Sequence, residues 1–494
     1  MISILDAACD RHLFAPWFKN REHWAAWFAF LAALFAIEMT EEQASVYRAC
    51  TGREALPTTA ATEAWLAVGR RGGKSFVLAM LAVFIACFRD CRQFLAPGER
   101  GTIMVIARDR QQARIILRYI RALLRVPLLA QMIERETAEA FDLDNQITIE
   151  VHVASFRSTR GYSIVAALCD EIAFWPTDDA AEPDFEIINA LRPGMAQFPN
   201  SLLLCASSPY ARRGALWDAH RRHFGRDADP VLVWQAPTRV MNPTIPQALI
   251  DQAYERDPAS ASAEFGAEFR SDVESFINLE AVQACISRGT FERQPRTGLR
   301  YLAFTDPSGG SSDSFTLAIA HRENDSLILD CIREIKPPFS PEAAIAEFAS
   351  TCRSYRISGI VGDRYAGEFP REQFRKHGIS YDVSNKSKSD LYLDLLPLLN
   401  SRRAELLDNP RLAAQLIALE RRTARSGRES IDHPPGAHDD LANAVAGVLA
   451  SNLAVRSGLR MFTYPVVGSR PGCEIDPKTM RPIERERIRW LKVN

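Results

Sequence analysis

The chain has 494 residues, 47% of them hydrophobic and 24% charged, the balance of a globular protein with room for about two to four domains, which excludes a disordered, collagen-like or fibrous chain. Sixty Lys and Arg against 61 Asp and Glu leave a formal net charge of -1, so any contact with nucleic acid has to come from local basic patches. The 10 cysteines form no CxxC pair, and Cys87 and Cys91 have no His or Cys close by; this pattern reads as buried, reduced thiols in a cytoplasmic protein and not as zinc ligands or disulfides.

Residues 1–60 are expected to be helical and to pack on the domain that follows. The longest apolar run, Trp24 to Ile37, has 14 residues, short of the roughly 20 needed to span a bilayer. Within it Trp24, Trp27, Phe28, Leu31, Leu34 and Phe35 recur at helical spacing and predict a core helix. No secretory pattern opens the chain. Over 61–255, short apolar strands (Trp65–Val68, Thr102–Ala107, Val165–Cys169, Leu202–Ala206) alternate with helical stretches such as Lys74–Phe88 and Arg110–Leu124. That alternation predicts an α/β domain with a mainly parallel sheet covered on both faces. A polar, helical linker is expected over 256–297. The block 298–455 opens on three successive strands, Leu302–Thr305, Phe315–Ala320 and Ser326–Ile332, a meander; a helix (Pro341–Tyr355), a strand (Gly359–Gly362) and a late helix (Asp439–Leu453) complete a second α/β unit. Residues 456–494 carry Pro465, Pro471, Pro477 and Pro482 and read as a loosely packed tail.

The strand Trp65–Val68 runs into Gly69-Arg70-Arg71-Gly72-Gly73-Lys74-Ser75 and then into an apolar helix. In a strand, Gly-rich loop, helix sequence the backbone N–H groups and the helix N-terminus attract phosphates, Lys74 reaches the β/γ-phosphates and Ser75 holds Mg²⁺. The plain GxxxxGK[ST] pattern is not met, because its first Gly would fall on Val68. A second apolar strand ends in Asp170-Glu171, where Asp170 is expected on the Mg²⁺ side and Glu171 as the group that positions the attacking water. Arg70 and Arg71, inside the loop, are candidates to neutralise charge on a γ-phosphate. Ser207-Ser208-Pro209 ends the next strand, where it would sense that phosphate and couple hydrolysis to movement.

In the second block Asp306 ends a strand, Asp363 ends another, and Asp439-Asp440 opens the late helix. Carboxylates at two strand ends and one helix start can converge in an RNase H-like fold, where hard oxygens suit Mg²⁺ or Mn²⁺ and two such ions support phosphodiester cleavage. Asn443 lies one helical turn after Asp440, facing the same side; the choice between Asp439 and Asp440 stays open. His438 reads equally as a capping or a catalytic residue, and Asp313 as a turn residue. Arg421, Arg422, Arg425 and Arg428, around the turn Ser426-Gly427, with Lys386 and Lys388, are candidates to track a DNA backbone by charge.

Together, the Arg-bearing loop Gly69 to Ser75, Asp170-Glu171, Ser207-Ser208-Pro209 and the ordered Asp306, Asp363 and His438-Asp439-Asp440 with Ala444 resemble the large terminase subunit of tailed bacteriophages and prophages, over roughly residues 20–455. In that family the loop departs from the plain pattern in a similar way. The resemblance implies a P-loop ATPase domain followed by an RNase H-like nuclease domain. It implies an ATP-driven motor that moves double-stranded viral DNA into procapsids and a metal-dependent endonuclease that cuts concatemers. ATP and Mg²⁺ (or Mn²⁺ at the nuclease) would be its cofactors. Portal protein and small terminase subunit would be its partners, in the host cytoplasm and transiently on the procapsid portal. The chain would be monomeric in isolation and a ring on the portal. By position it makes Arg70 a cis-acting arginine finger, Glu171 the catalytic base, Asp306, Asp363 and Asp439 or Asp440 metal ligands, and Gln43 the adenine reader; the family's usual acidic residue near Asn443 is an amide here. A repair or recombination ATPase-nuclease and a non-enzymatic, nucleotide-dependent DNA-binding scaffold are the alternatives.

Overall fold

The computed structural model describes residues 2–155, 161–175, 183–311, 313–363, 368–423, 429–434 and 437–454. Eight strands form the first sheet: β1 (Glu63–Val68), β2 (Gly101–Ala107), β3 (Ile133–Glu136), β4 (Ala140–Leu143), β5 (Ile147–Val153), β6 (Ser163–Asp170), β7 (Leu202–Ser207) and β8 (Val231–Ala236). Their order is β3-β4-β5-β2-β6-β7-β1-β8, parallel from β5 to β8, with β3 and β4 added antiparallel at one edge. Strands β2, β6 and β7 are near-continuous apolar runs because helices cover both faces. Along β1, Leu66 and Val68 face one core with the helices Ala25–Phe35, Lys74–Phe88 and Arg110–Leu124, while Trp65 faces the other with Pro183–Met195 and Gly214–His223. The helix Lys74–Phe88 is buried on nearly every side from Val77 to Ala86. It lies between the sheet and the amino-terminal helix, whose Trp27, Phe30 and Leu34 are buried against the same core, so an all-apolar sequence is what its position requires. The loop strand β1 lies between β7 and the edge strand β8, and β7 separates it from β6, the strand order of a P-loop NTPase domain.

The second sheet uses β10 (Ile286–Ser287), β11 (Tyr301–Asp306), β12 (Phe315–Glu323), β13 (Ser326–Ile335), β14 (Gly359–Gly362), β15 (Ser380–Val383) and β16 (Ala404–Leu407), in the order β10-β16-β13-β12-β11-β14-β15. The meander β11-β12-β13 is antiparallel, and β14 then joins β11 in parallel, an RNase H-like arrangement. The helix Pro341–Ser354 covers one face through Ile345, Phe348 and Cys352. The late helix Asp440–Ala454 lies close against β11 at Gly447, where a Cβ would stand 2.4 Å from the ring of Phe304; only a residue without a side chain allows that approach.

Between the two sheets, the helical linker expected over 256–297 is helical only in part, at Pro258–Glu264 and Leu279–Gln283. Its strand β9 (Val273–Ser275) pairs with β17 (Glu420–Thr423), which pairs with β18 (Glu429–Asp432), all antiparallel, and its β10 is the edge of the second sheet. Extended polar backbone here finds its hydrogen bonds in neighbouring strands. Among the described residues no helix is long and apolar enough to cross a membrane, and the nine described cysteines are unbonded.

Candidate active sites

The loop after β1 is held from behind. Thr238 Oγ1 donates to the Arg70 carbonyl at 2.8 Å, Asn242 Nδ2 to that of Arg71 at 2.9 Å, and Trp27 Nε1 to that of Gly72 at 2.8 Å. Because peptide units are planar and trans, the carbonyls of Arg70 and Gly72 drawn back turn the N–H groups of Arg71 and Gly73 the other way, toward the cavity that the loop lines, while the Gly72 N–H closes the turn on the Gly69 carbonyl at 3.1 Å. Arg71 and Gly73 adopt left-handed backbone, φ 65° and 99°, and Gly73 caps the helix that Lys74 begins. The result is a concave run of donors at a helix N-terminus, an anion cradle. The cavity in front of it is about 1000 Å³, lined by Arg70 to Phe76, Gln112, Tyr119, Glu171, Ser208 and Tyr210 among others.

Lys74 is buried; its Nζ donates to the Val68 carbonyl at 3.0 Å and lies 3.4 Å from Glu171 Oε1. Ser75 Oγ donates to Asp170 Oδ2 at 2.8 Å, and Gln112 Nε2 donates to both, at 2.9 and 2.7 Å. Asp170 is fully buried, and its Oδ1 has no hydrogen-bond partner. Burial first, and then the charge of Glu171, push its carboxyl up to about 6. A buried carboxylate oxygen without a donor, beside a serine hydroxyl, suits a hard divalent cation. Glu171 follows β6 with φ 52°, a strained turn that re-aims its side chain; Oε2 accepts from Ser207 Oγ at 3.1 Å and from the Ser208 N–H at 3.4 Å. Arg70 meets Glu264 of the linker, Nη1 to Oε1 at 3.1 Å. Gln43 closes a capping box with Thr40 and is not among the residues lining the cavity. Sequence reasoning missed Gln112, Trp27, Thr238 and Asn242.

In the second domain β11 and β14 run in parallel register, Thr305 opposite Gly362, so Asp306 and Asp363 emerge side by side. Asn443 Nδ2 bridges them, 2.8 Å from Asp306 Oδ2 and 2.7 Å from Asp363 Oδ2, while its own Oδ1 is buried without a partner. Asp440, one turn earlier, is anchored by the Ser314 N–H to Oδ2 at 3.2 Å and by Thr316 Oγ1 to its carbonyl at 2.8 Å. Burial pushes Asp306 up to about 8; the Asn443 hydrogen bond opposes the shift, and the charges of Asp363, Asp440 and Asp439 add to it. Asp440 rises to about 6, chiefly through burial. Crowded oxygens that raise each other's proton affinity, with an amide carbonyl left over, fit a divalent cation.

Asp439 faces other partners. Tyr392 donates to its Oδ2 at 2.7 Å, and Lys388 Nζ lies 2.9 Å from Oδ2 and 2.9 Å from Asp432 Oδ1. Burial works against the charge of Lys388, but Asp439 and Asp432 hold its pKa above the ordinary lysine value. Asp432, His433 and Asp439 group their ligand atoms within 4.8 Å, with the ammonium of Lys388 on both carboxylates. Of the residues read as DNA-tracking cations, Lys386 is paired with Asp394, Arg421 lies 3.8 Å from Glu429, and Arg422 is 3.0 Å from Glu420; Arg425 and Arg428 lie outside the described residues. Arg421 and Arg422 sit beside acids of their own hairpin because it is a strand pair built into the fold, and Lys386 sits beside an acid of the helix that follows it. Asp313 meets His438 at 3.5 Å.

Fold and sites together define a P-loop NTPase domain joined to an RNase H-like domain, each with a carboxylate cluster at its strand ends. No protein-family model and no curated protein matches the chain. Among solved structures it is similar to the HK97 bacteriophage large terminase, at 17% identity over 79% of this chain and 91% of that one, with a TM-score of 0.35. It is also similar to the large terminase of the thermophilic bacteriophage D6E, at 10% identity over 81% of this chain and 96% of that one, TM-score 0.35. A third is the large terminase nuclease of thermophilic phage G20c, at 18% identity over 35% of this chain and 96% of that one, TM-score 0.31.

Proposed function

We propose that the protein is a large terminase, an ATP-hydrolysing motor that moves double-stranded DNA into a procapsid and a metal-dependent endonuclease that cuts it. One observation carries the reading: in a single body, Ser75 and Asp170 meet beside Glu171, and Asp306 and Asp363 meet at Asn443 with Asp440 one turn away. For hydrolysis, the loop N–H groups and Lys74 bind the β/γ-phosphates, and Ser75 with Asp170 would hold Mg²⁺, which lowers the charge on the transferred phosphoryl group. Glu171 takes a proton from water as its oxygen attacks the γ-phosphorus and the bond to the β-phosphate oxygen breaks. Ser207 and Ser208, on the same carboxylate, would report the change to the strand that follows. Arg70 would serve as the finger once released from Glu264. In the nuclease Asp306, Asp363 and Asp440 would hold Mg²⁺ or Mn²⁺, which supplies an activated water and charge stabilisation. Portal protein, small terminase subunit and a ring on the portal belong to the same reading.

Two variants test it. Glu171→Ala is expected to lower ATP turnover at least about 100-fold while leaving Mn²⁺-dependent plasmid cutting intact, and Asp363→Ala to do the reverse. Loss of both activities by both folded variants would refute two separate sites, and a folded wild type without either activity would refute the enzyme.

A further inference from the structure

The helix Arg110–Leu124 carries Arg110, Arg114, Arg118 and Arg121, and Arg125 is its C-cap. At 100° per residue these five fall within an arc of about 80°, in steps of three or four residues along about 22 Å of axis. Ile116, Leu117, Ile120, Leu123 and Leu124, on the adjoining face, are buried in the core and fix the helix. The helix has no acidic residue. Arg121 is paired with Glu136 at 2.6 Å, but Arg110, Arg114, Arg118 and Arg125 are exposed, and among the described residues none has an acidic partner.

Resting on the reading that the chain handles DNA, we infer that this arginine row is a duplex-binding surface of the ATPase domain and tracks the sugar-phosphate backbone. The chemistry fits a polyphosphate: planar forks that bind phosphate in bidentate fashion, carried on long side chains in a row about 22 Å long on a rigid rod. It contains no group suited to reading base edges, so binding is sequence-neutral. The same helix starts at the nucleotide site, where Gln112 touches Ser75 and Asp170. DNA on the row therefore bears on the ATP site through one rigid element.

The test is duplex binding and ATP turnover by the full chain, wild type against Arg114→Ala/Arg118→Ala. The double variant is expected to bind a random-sequence duplex at least about tenfold more weakly at low salt. The slope of log K against log salt should be shallower by about 2, one per lost phosphate contact. DNA stimulation of turnover should fall, with DNA-independent turnover unchanged. Arg114→Lys/Arg118→Lys should restore most of the slope, and Arg48→Ala/Arg92→Ala, which removes the same charge elsewhere, should leave it unchanged. Wild-type affinity and slope in the Ala variant would overturn the row while leaving the motor reading in place. A wild type that binds no duplex and shows no stimulation would overturn both.

Discussion

Asn443 donates from one amide nitrogen to two carboxylates that the strand register forces together. Burial of the Asp306 carboxyl, which the one neutral donor does not offset and to which the neighbouring charge of Asp363 adds, pushes it up to about 8. A folded-state pKa above the unfolded one makes this group's contribution most favourable below about pH 4, and it is lost as pH rises toward 8. Asp306→Asn removes the repulsion and keeps an acceptor for Asn443. Without metal at pH 8 it is expected to raise stability by at least about 1 kcal/mol, roughly 2–4 °C in Tm, and to remove the stabilisation that Mg²⁺ gives the wild type. Thermal unfolding in EDTA and in Mg²⁺ measures both, and a lower Tm in EDTA would contradict the crowding argument. The carboxylates were readable in the sequence because each stands where an apolar strand ends or a helix begins, a local signal. The groups that hold the loop were not: Trp27, Thr238 and Asn242 reach it across 45, 168 and 171 residues, and Gln112 reaches Asp170 across 58. No local pattern marks such contacts.

At the scale of elements, legibility followed burial. Strands β1, β2, β6 and β7 announce themselves as apolar runs, and β11, β12 and β13 as a meander. Strand β17, Glu-Arg-Arg-Thr, gives no such signal; it exists because β9 and β18 complete its hydrogen bonds. Its Arg421 and Arg422 read as cations that track a DNA backbone, yet the strand also buries Glu420 completely. The late helix was legible, but its seat was not, since that depends on Gly447 against Phe304. Gly447→Ala sets two effects against each other. Helix propensity gains about 1 kcal/mol, whereas a methyl 2.4 Å from a ring costs about 1–3 kcal/mol and moves the helix or the strand. Overpacking should win, and with it Asp440 and Asn443 shift relative to Asp306. Because a misplacement of about 1 Å costs on the order of 100-fold, metal-dependent cutting is expected to fall at least about tenfold while ATP turnover holds. Unchanged cutting would mean that the helix position is not what assembles the site.

Across the whole molecule the two domains meet at a buried charge. Tyr210, just after the Ser207-Ser208-Pro209 segment, donates to Glu420 Oε2 at 2.8 Å; Arg213 Nη2 lies 2.5 Å from Oε1, and Arg422 Nη2 3.0 Å from Oε2. Tyr210 and Arg213 come from the nucleotide domain and Glu420 and Arg422 from the hairpin of the nuclease domain. A carboxylate with 0% exposure is tolerated only because three donors satisfy it. Removing the carboxylate takes the shared acceptor from two guanidinium groups that are each about 30% exposed and still donate to the carbonyls of Ala418 and His433, which costs about 1–3 kcal/mol. That loss falls on the seam and not on either core, so each domain keeps its own apolar interior. Glu420→Ala is therefore expected to separate the domains' unfolding into two calorimetric transitions where the wild type shows one. Limited proteolysis should cut first near the linker residues 265–272, and ATP turnover of the intact variant should persist. A single transition at the wild-type temperature would show that apolar contacts, and not this ion cluster, hold the two domains together.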